Sequence, residues 1–314
     1  MDFTLSLRVV FPLCVYIGLG MIAKAARLIS PEASAAMNRF TFRALFPLVM
    51  FENVMNAGET LRGGGLNAAW YLLAANTAVF GLLMLLIPCV EKSKPRQGSM
   101  IQGAFRANSI LFALPIVTTI CGAENAGLAS VCVSLVVPWY NILSVIALET
   151  KRGGRVNVLK LLRGIITNPL IIGALAGAAA LLLGIQLPEI LSKPIHTLTS
   201  MVTPLALILL GVDLKFGSLR KDWKPLTIVT VIKLILTPLT IVGGAWLLGF
   251  RGVPLVSVFA LCCVPTAVSS YSMALEMDAD GPLAGEIVAC TTVCSIVTVF
   301  IWVSVLSLLG ASVF

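Results

Sequence analysis

FRANSILFALPIVTTICG, residues 105–122, and VFALCCVPTAVSSYSMALEM, residues 258–277, are the two stretches that decide the fold. Each is an apolar run of membrane-spanning length with a proline near its centre, Pro115 and Pro265. A mid-helix proline removes a hydrogen bond and clashes with the preceding turn. In lipid, the freed backbone groups must be buried or hydrated. The pattern predicts two broken helices, each with a new N-terminus just after its proline. Unpaired N–H groups there carry partial positive charge. Two such ends meeting near the bilayer midplane hold a carboxylate without an added Lys or Arg. Thr118, Thr119, Thr266, Ser269 and Ser270 follow the breaks and offer hydroxyl donors, while Asn108 precedes the first and offers a donor and an acceptor. Asn108 equally suits a bond to a neighbouring helix.

The rest of the chain reads the same way. Of 314 residues, 58% are hydrophobic and 11% charged, and the mean hydropathy is +1.00. A soluble domain carries roughly 25% charged residues, so lipid is the solvent here. Apolar runs predict about ten helices, near 5–23, 40–57, 67–90, 100–121, 126–148, 158–184, 197–212, 224–249, 254–275 and 284–310. Asp2 is acidic and Arg8 is the lone cation before the first run, a poor signal-peptide start, so that run is expected to be a retained helix.

Lys and Arg crowd the loops after helices 1, 3, 5 and 7: Lys24 to Arg43, Lys92 to Arg106, Lys151 to Arg163, and Lys215 to Lys224. The other side has only Arg8, Arg62, Lys193 and Arg251. The positive-inside rule puts the rich loops in the cytoplasm and both termini outside. The loop after helix 9 fits poorly, with Glu276, Asp278, Asp280 and Glu286 and no cation. The net charge of +8 is thus spent on orientation, and no basic run interleaved with aromatics suggests nucleic acid.

Dipeptides recur at a spacing of 157 residues: Pro12–Leu13 with Pro169–Leu170, Pro31–Glu32 with Pro188–Glu189, and Pro47–Leu48 with Pro204–Leu205. Residues 1–150 and 151–314 read as two five-helix repeats. An odd helix count inverts the second repeat in the membrane, which places a transport site between the broken helices 4 and 9.

Intramembrane charge is scarce. Glu52, with Asn53 in FENVMN, either carries a coupling proton or sits at the interface. Lys233 in helix 8 either balances substrate charge or snorkels to the cytoplasmic side, and snorkelling is the preferred reading. His196 is expected in an outer loop with no role. The eight Cys contain no CxxC and lack a completing ligand set, so neither metal nor cofactor is expected. HExxH, GxSxG, Walker A and GxGxxG are absent from the sequence, which argues against an enzyme.

At FRANSILFALP and CVPTAVSSYSMALE the chain resembles the auxin efflux carrier (AEC) family, bacterial branch. The resemblance covers nearly the whole chain. It implies an all-α membrane protein whose scaffold and transport domains each draw on both repeats. Its crossing broken helices would be like those of sodium–proton antiporters and bile-acid symporters. It also implies elevator-type motion, a homodimer, the bacterial inner membrane, and a site lined by Asn108, Pro115 and Pro265. Bacterial members are associated with malate or malonate, plant members with indole acetate. Plant members carry an acid where Asn76 stands and a Lys where Leu275 stands, so their charged support pair is missing. The expected activity is secondary transport of a small mono- or dicarboxylate, with Glu52, Asn53, Asn76 and Lys233 as the candidates for proton coupling. The other reading is a receptor or regulatory protein that keeps the fold and does not translocate.

Overall fold

A backbone in lipid must satisfy its own polar groups, so helices are the available answer, and the described residues of this chain fold into helices. The computed structural model describes residues 3–60, 66–122, 125–152, 166–185, 187–214 and 221–308. The helices are α1 (Phe3–Ala25), α2 (Pro31–Phe40), α3 (Phe46–Thr60), α4 (Leu66–Val90), α5 (Lys94–Phe105), α6 (Ser109–Cys121) and α7 (Ala126–Lys151) in the first half. In the second half they are α8 (Pro169–Leu182), α9 (Glu189–Asp213), α10 (Trp223–Val231), α11 (Thr237–Leu247), α12 (Gly252–Cys262), α13 (Ser269–Glu276) and α14 (Gly281–Leu308). Wider π turns at Thr41–Leu45 and Ile232–Leu236 carry α2 into α3 and α10 into α11 without a break. Among the described residues, α4, α7, α9, α10–α11 and α14 are long and apolar enough to cross a membrane, and parts of α1, α8 and α12 are shorter apolar helices.

Helix ends recur at the 157-residue spacing. Leu66–Val90 maps onto Trp223–Leu247, Phe105 at the end of α5 onto Cys262 at the end of α12, and Ala25 onto Leu182.

Local capping explains where the sequence-based boundaries were too short. Helix 2 begins at Pro31 rather than near 40, because Ser30 Oγ accepts the Ala33 N–H at 3.2 Å and Pro31 suits the first helical position. Helix 7 begins at Glu189 rather than near 197, where an exposed Glu189–Lys193 pair at 2.7 Å spans its first turn. For helix 6, Asn168 Oδ1 caps α8 by accepting the Leu170 N–H at 3.0 Å, and residues 158–165 lie outside the described residues.

Two seams without side chains join the halves. A Cβ on Gly20 of α1 would sit 2.0 Å from the Ile208 carbonyl of α9, and one on Gly173 of α8 would sit 2.2 Å from the Pro47 carbonyl of α3. Small residues let helices in lipid approach backbone to backbone.

The acidic segment after helix 9, which fitted the charge pattern poorly, finds its cations in the π turn before α3, the first turn of α5 and the end of α7. Arg43 pairs with Glu276 at 3.2 Å, Arg152 pairs with Asp278, and Arg96 pairs with Asp280 at 3.3 Å, Asp222 at 2.8 Å and Glu91 at 3.0 Å. The loops after helices 1, 3, 5, 7 and 9 therefore meet at one end of the molecule. Its acids offset cations brought by neighbours in space rather than in sequence. The Asp278 hydrogen bond, with Glu149 beside it, holds the Arg152 guanidinium above its ordinary range.

Candidate functional site at the crossing of two broken helices

Helix α5 stops at Phe105 and α6 starts at Ser109; α12 stops at Cys262 and α13 starts at Ser269. The two unwound segments lie antiparallel, Ala107 bridging to Thr266. The Asn108 N–H donates to the Pro265 carbonyl at 2.9 Å, and the Ala267 N–H donates to the Arg106 carbonyl at 3.3 Å. Each break thus satisfies part of the other's exposed backbone. This corrects the expected position of the first break. It falls at Arg106–Asn108, not at Pro115, which lies inside α6. A proline deletes one N–H bond, which a helix in a packed bundle survives. Unwinding occurs where a second unwound segment is present to pair with. In the second broken helix Pro265 lies in the unwound segment itself.

A cavity of about 80 Å³ opens beside the crossing. Its polar wall is Arg106, Asn108, Ser109, Tyr140, Thr199, Thr203 and Ser269, and Phe46, Val49, Met50, Val137, Val202 and Val268 are among its apolar side chains. Arg106 is only 3% exposed. Its guanidinium donates to Asn141 Oδ1 and touches Met273 Sδ. The Asn141 amide donates in turn to the Val137 carbonyl at 3.0 Å, which aims its oxygen at Arg106. No carboxylate pairs with Arg106 among the described residues. The Asn108 side-chain nitrogen is buried and has no acceptor among the described residues. A buried cation and a buried donor, both without an anionic partner, face one small space at the N-terminal ends of α6 and α13.

Sequence reading missed Arg106, which was counted with the cations of the preceding loop because it stood close to the expected start of helix 4 near residue 100. Helix α5 starts at Lys94, so Arg106 stands twelve residues in, about 18 Å along the axis. Placing the helix start at the Lys-Pro of 94–95 would have exposed it.

Polar groups also meet the carbonyl ends of α5 and α12. Lys233, with no exposed surface, donates from Nζ to the Phe105 carbonyl at 3.3 Å. It does not snorkel: the α5 C-terminus, which carries partial negative charge, lies within its reach inside the protein. The residue 157 positions earlier is Asn76, also fully buried. Asn76 accepts from the Tyr140 hydroxyl at 3.1 Å, and that hydroxyl lies 3.5 Å from the Leu261 carbonyl at the end of α12. Two further residues at that spacing make reciprocal caps. Ser109 Oγ donates to the Leu261 carbonyl at 3.1 Å, and Thr266 Oγ1 to the Gly103 carbonyl at 2.7 Å.

The other residues singled out from sequence divide between wall and support. Asn108 and Ser269 line the cavity. Thr266 is fully buried, spent on Gly103 and on its own N–H bond to Thr291 Oγ1 at 3.2 Å. Ser270 is buried beside the wall, its carbonyl accepting Gln102 Nε2 at 2.8 Å. Pro265 contributes its carbonyl. Thr118 and Thr119, farther along α6, are not in the cavity wall. Glu52 accepts from the Thr199 hydroxyl, one residue behind the wall, and its other oxygen is 2.9 Å from His196 Nδ1. His196 therefore lies in α9 with a partner, not in a loop. Asn53, half-buried in α3, stands outside the wall with no acceptor for its side-chain nitrogen among the described residues.

Compared with known proteins, residues 5–303 match the profile of the family described as "Membrane transport protein". A protein of Methanothermobacter thermautotrophicus described as an "uncharacterized transporter" is 30% identical over 109 residues. That match spans 35% of this chain and 36% of the relative, about a third of its length.

Proposed function

Because this chain belongs to the membrane transport protein family, that of the auxin efflux carriers, we propose that it is a secondary active transporter of a small organic anion. The observation that supports this reading most is Arg106, a guanidinium buried at the crossing with an amide and a thioether for partners and no acid among the described residues. Burying an uncompensated charge costs several kcal/mol, and ionisable groups inside a membrane protein commonly mark a substrate path. A bound carboxylate relieves that cost. It takes charge-assisted bonds from Arg106, the idle Asn108 amide, and the positive ends of α6 and α13.

Alternating access follows from how the helices are divided. Helices α1, α2–α3, α8 and α9, joined by the glycine seams, form the frame, and the crossing with α4, α7, α10–α11 and α14 forms the body that moves. The cavity lies between them, its far wall being Phe46, Val49 and Met50 of α3 and Thr199, Val202 and Thr203 of α9. Sliding the body along that wall changes the side to which the cavity opens. Glu52, bonded to Thr199, is the group we assign to proton coupling. The cation-rich end faces the cytoplasm by the positive-inside rule, which puts both termini outside. The setting is a bacterial inner membrane and the assembly a homodimer.

Counterflow in proteoliposomes tests the reading. Vesicles preloaded with unlabelled carboxylates should draw in trace labelled ones, and an imposed pH gradient should drive uptake that an uncoupler abolishes. Binding without exchange, from folded protein, would replace the carrier with a non-translocating receptor.

A further inference from the structure

Resting on the organic-anion reading, a residue behind the cavity wall acquires a role in it. We infer that Asn141 is the positioning residue of the site: it holds the Arg106 guanidinium as a neutral acceptor, and its neutrality keeps the guanidinium's charge for a ligand carboxylate.

Asn141 lies in α7 and is buried, and it is not part of the cavity wall, although Val137 and Tyr140 of the same helix are. Its amide is fully engaged. Oδ1 accepts from Arg106 Nη2, while Nδ2 donates to the Val137 carbonyl at 3.0 Å and to Met50 Sδ at 2.8 Å. Those partners fix which way the amide faces. Turned over, its NH2 would meet the guanidinium donor and its oxygen would meet a carbonyl oxygen. Two bonds on one side of the group therefore hold its oxygen on Arg106. The guanidinium's other partner is Met273 Sδ, which Nη1 meets at 2.5 Å. Amide and thioether fix the guanidinium, and both are neutral.

An acid at position 141 would be the more stable way to bury Arg106. A buried cation with neutral acceptors keeps a desolvation cost that an ion pair offsets. Asp has the size of Asn and would supply that pair, with charge-assisted bonds roughly twice as strong as neutral ones. It would also occupy the guanidinium permanently. A ligand carboxylate would then compete with a tethered one, which has the advantage of being intramolecular. Lys233 does not line the cavity, and its bond to the Phe105 carbonyl is untouched by the exchange. The substitution therefore probes the Arg106 contact itself.

The test sets Asn141→Asp against Asn141→Leu in the full chain. Counterflow of malate, malonate and lactate is read in proteoliposomes. The unfolding midpoint in detergent is read with and without the acid that exchanges fastest, since a ligand of the folded state raises it. Asn141→Asp should have a midpoint at or above that of the unchanged chain. It should raise half-saturation about 100-fold or more and lose the midpoint rise on adding acid. Asn141→Leu should have the lower midpoint, because Arg106 loses its acceptor. Its half-saturation should rise only about tenfold, and its response to added acid should persist. Stability and transport thus rank the two variants in opposite orders, which a merely structural role would not produce. Asn141→Asp transporting within about threefold of the unchanged chain, or falling below Asn141→Leu in midpoint, would overturn the inference and leave the anion carrier standing. So would Asn141→Leu matching the unchanged chain in both readings. Neither exchange nor a midpoint rise with any of these acids, from unchanged protein shown to be folded, would bring down the organic-anion reading and this one together.

Discussion

The two breaks are built on one plan and equipped differently. Arg106, Ala107, Asn108 and Ser109 stand 157 positions before Cys263, Val264, Pro265 and Thr266. Both segments unwind between two short helices, both lend backbone to the antiparallel pairing, and Ser109 and Thr266 each cap a carbonyl end on the opposite helix. The polar side chains that face the cavity from the unwound residues, however, come from the first break alone. From the unwound residues of the second, only the apolar Ala267 and Val268 reach the wall. A crossing of broken helices needs backbone partners on both sides, whereas anion chemistry needs a charge on one. The sharpest way to break this comparison is to remove that charge. Arg106→Met should weaken counterflow by about 100-fold or more, equivalent to about 3 kcal/mol for losing a buried charged hydrogen-bonding partner. An unchanged half-saturation would move the site elsewhere.

The same asymmetry appears one layer out, at Lys233 and Asn76. Lys233 caps the end of α5 directly; Asn76 reaches the end of α12 only through Tyr140. Lys233→Met strands the Phe105 carbonyl. It should cost about 1–3 kcal/mol, the usual penalty for a buried group left without its partner, seen as a lower unfolding midpoint in detergent. Asn76→Leu should cost less, because Ser109 keeps its bond to Leu261. Equal losses would mean that the charge on Lys233 adds nothing to its hydrogen bond.

These residues also show what could be read from the chain and what could not. The two interrupted helices and their places in the chain were legible, because apolar runs and punctuation are local signals, whereas Asn108 was read as preceding the first break when it lies in it. Pro115 was given the break because proline is the one sequence mark of a weakened helix. The true interruption depends on pairing with residues some 157 positions away, which no local pattern records. Arg106 was lost to an error of about one and a half turns in a helix start. Lys233 was read as snorkelling because its acceptor, the Phe105 carbonyl, is a backbone atom and leaves no trace in composition. The acidic loop after helix 9 looked misplaced for a related reason, since its partners Arg43, Arg96 and Arg152 come from three segments distant in the chain.

Asn108 gives the next smaller effect and refines the comparison within the first break. Its backbone N–H pairs with Pro265 whatever its side chain, so Asn108→Ala should leave the crossing intact. What disappears is one neutral donor to the substrate. About 1–1.5 kcal/mol corresponds to roughly a tenfold rise in half-saturation, with the unfolding midpoint nearly unchanged. A lower midpoint with unchanged half-saturation would make Asn108 a structural residue and leave Arg106 to hold the anion alone.

The smallest expected effect belongs to Cys263, the counterpart of Arg106. It is fully buried at the end of α12, and its side chain is not part of the cavity wall. Its backbone N–H bonds to the Phe259 carbonyl at 2.9 Å, which any residue but proline preserves. Cys263→Ala removes one buried sulfur, a packing loss of about 1 kcal/mol that falls on the fold rather than on the substrate. Half-saturation in counterflow should therefore stay within about threefold, a change of less than 1 kcal/mol. A loss approaching that of Arg106→Met would mean that the second break shapes the anion site through its side chains as well as its backbone. The division of labour between the two breaks would then have to be abandoned.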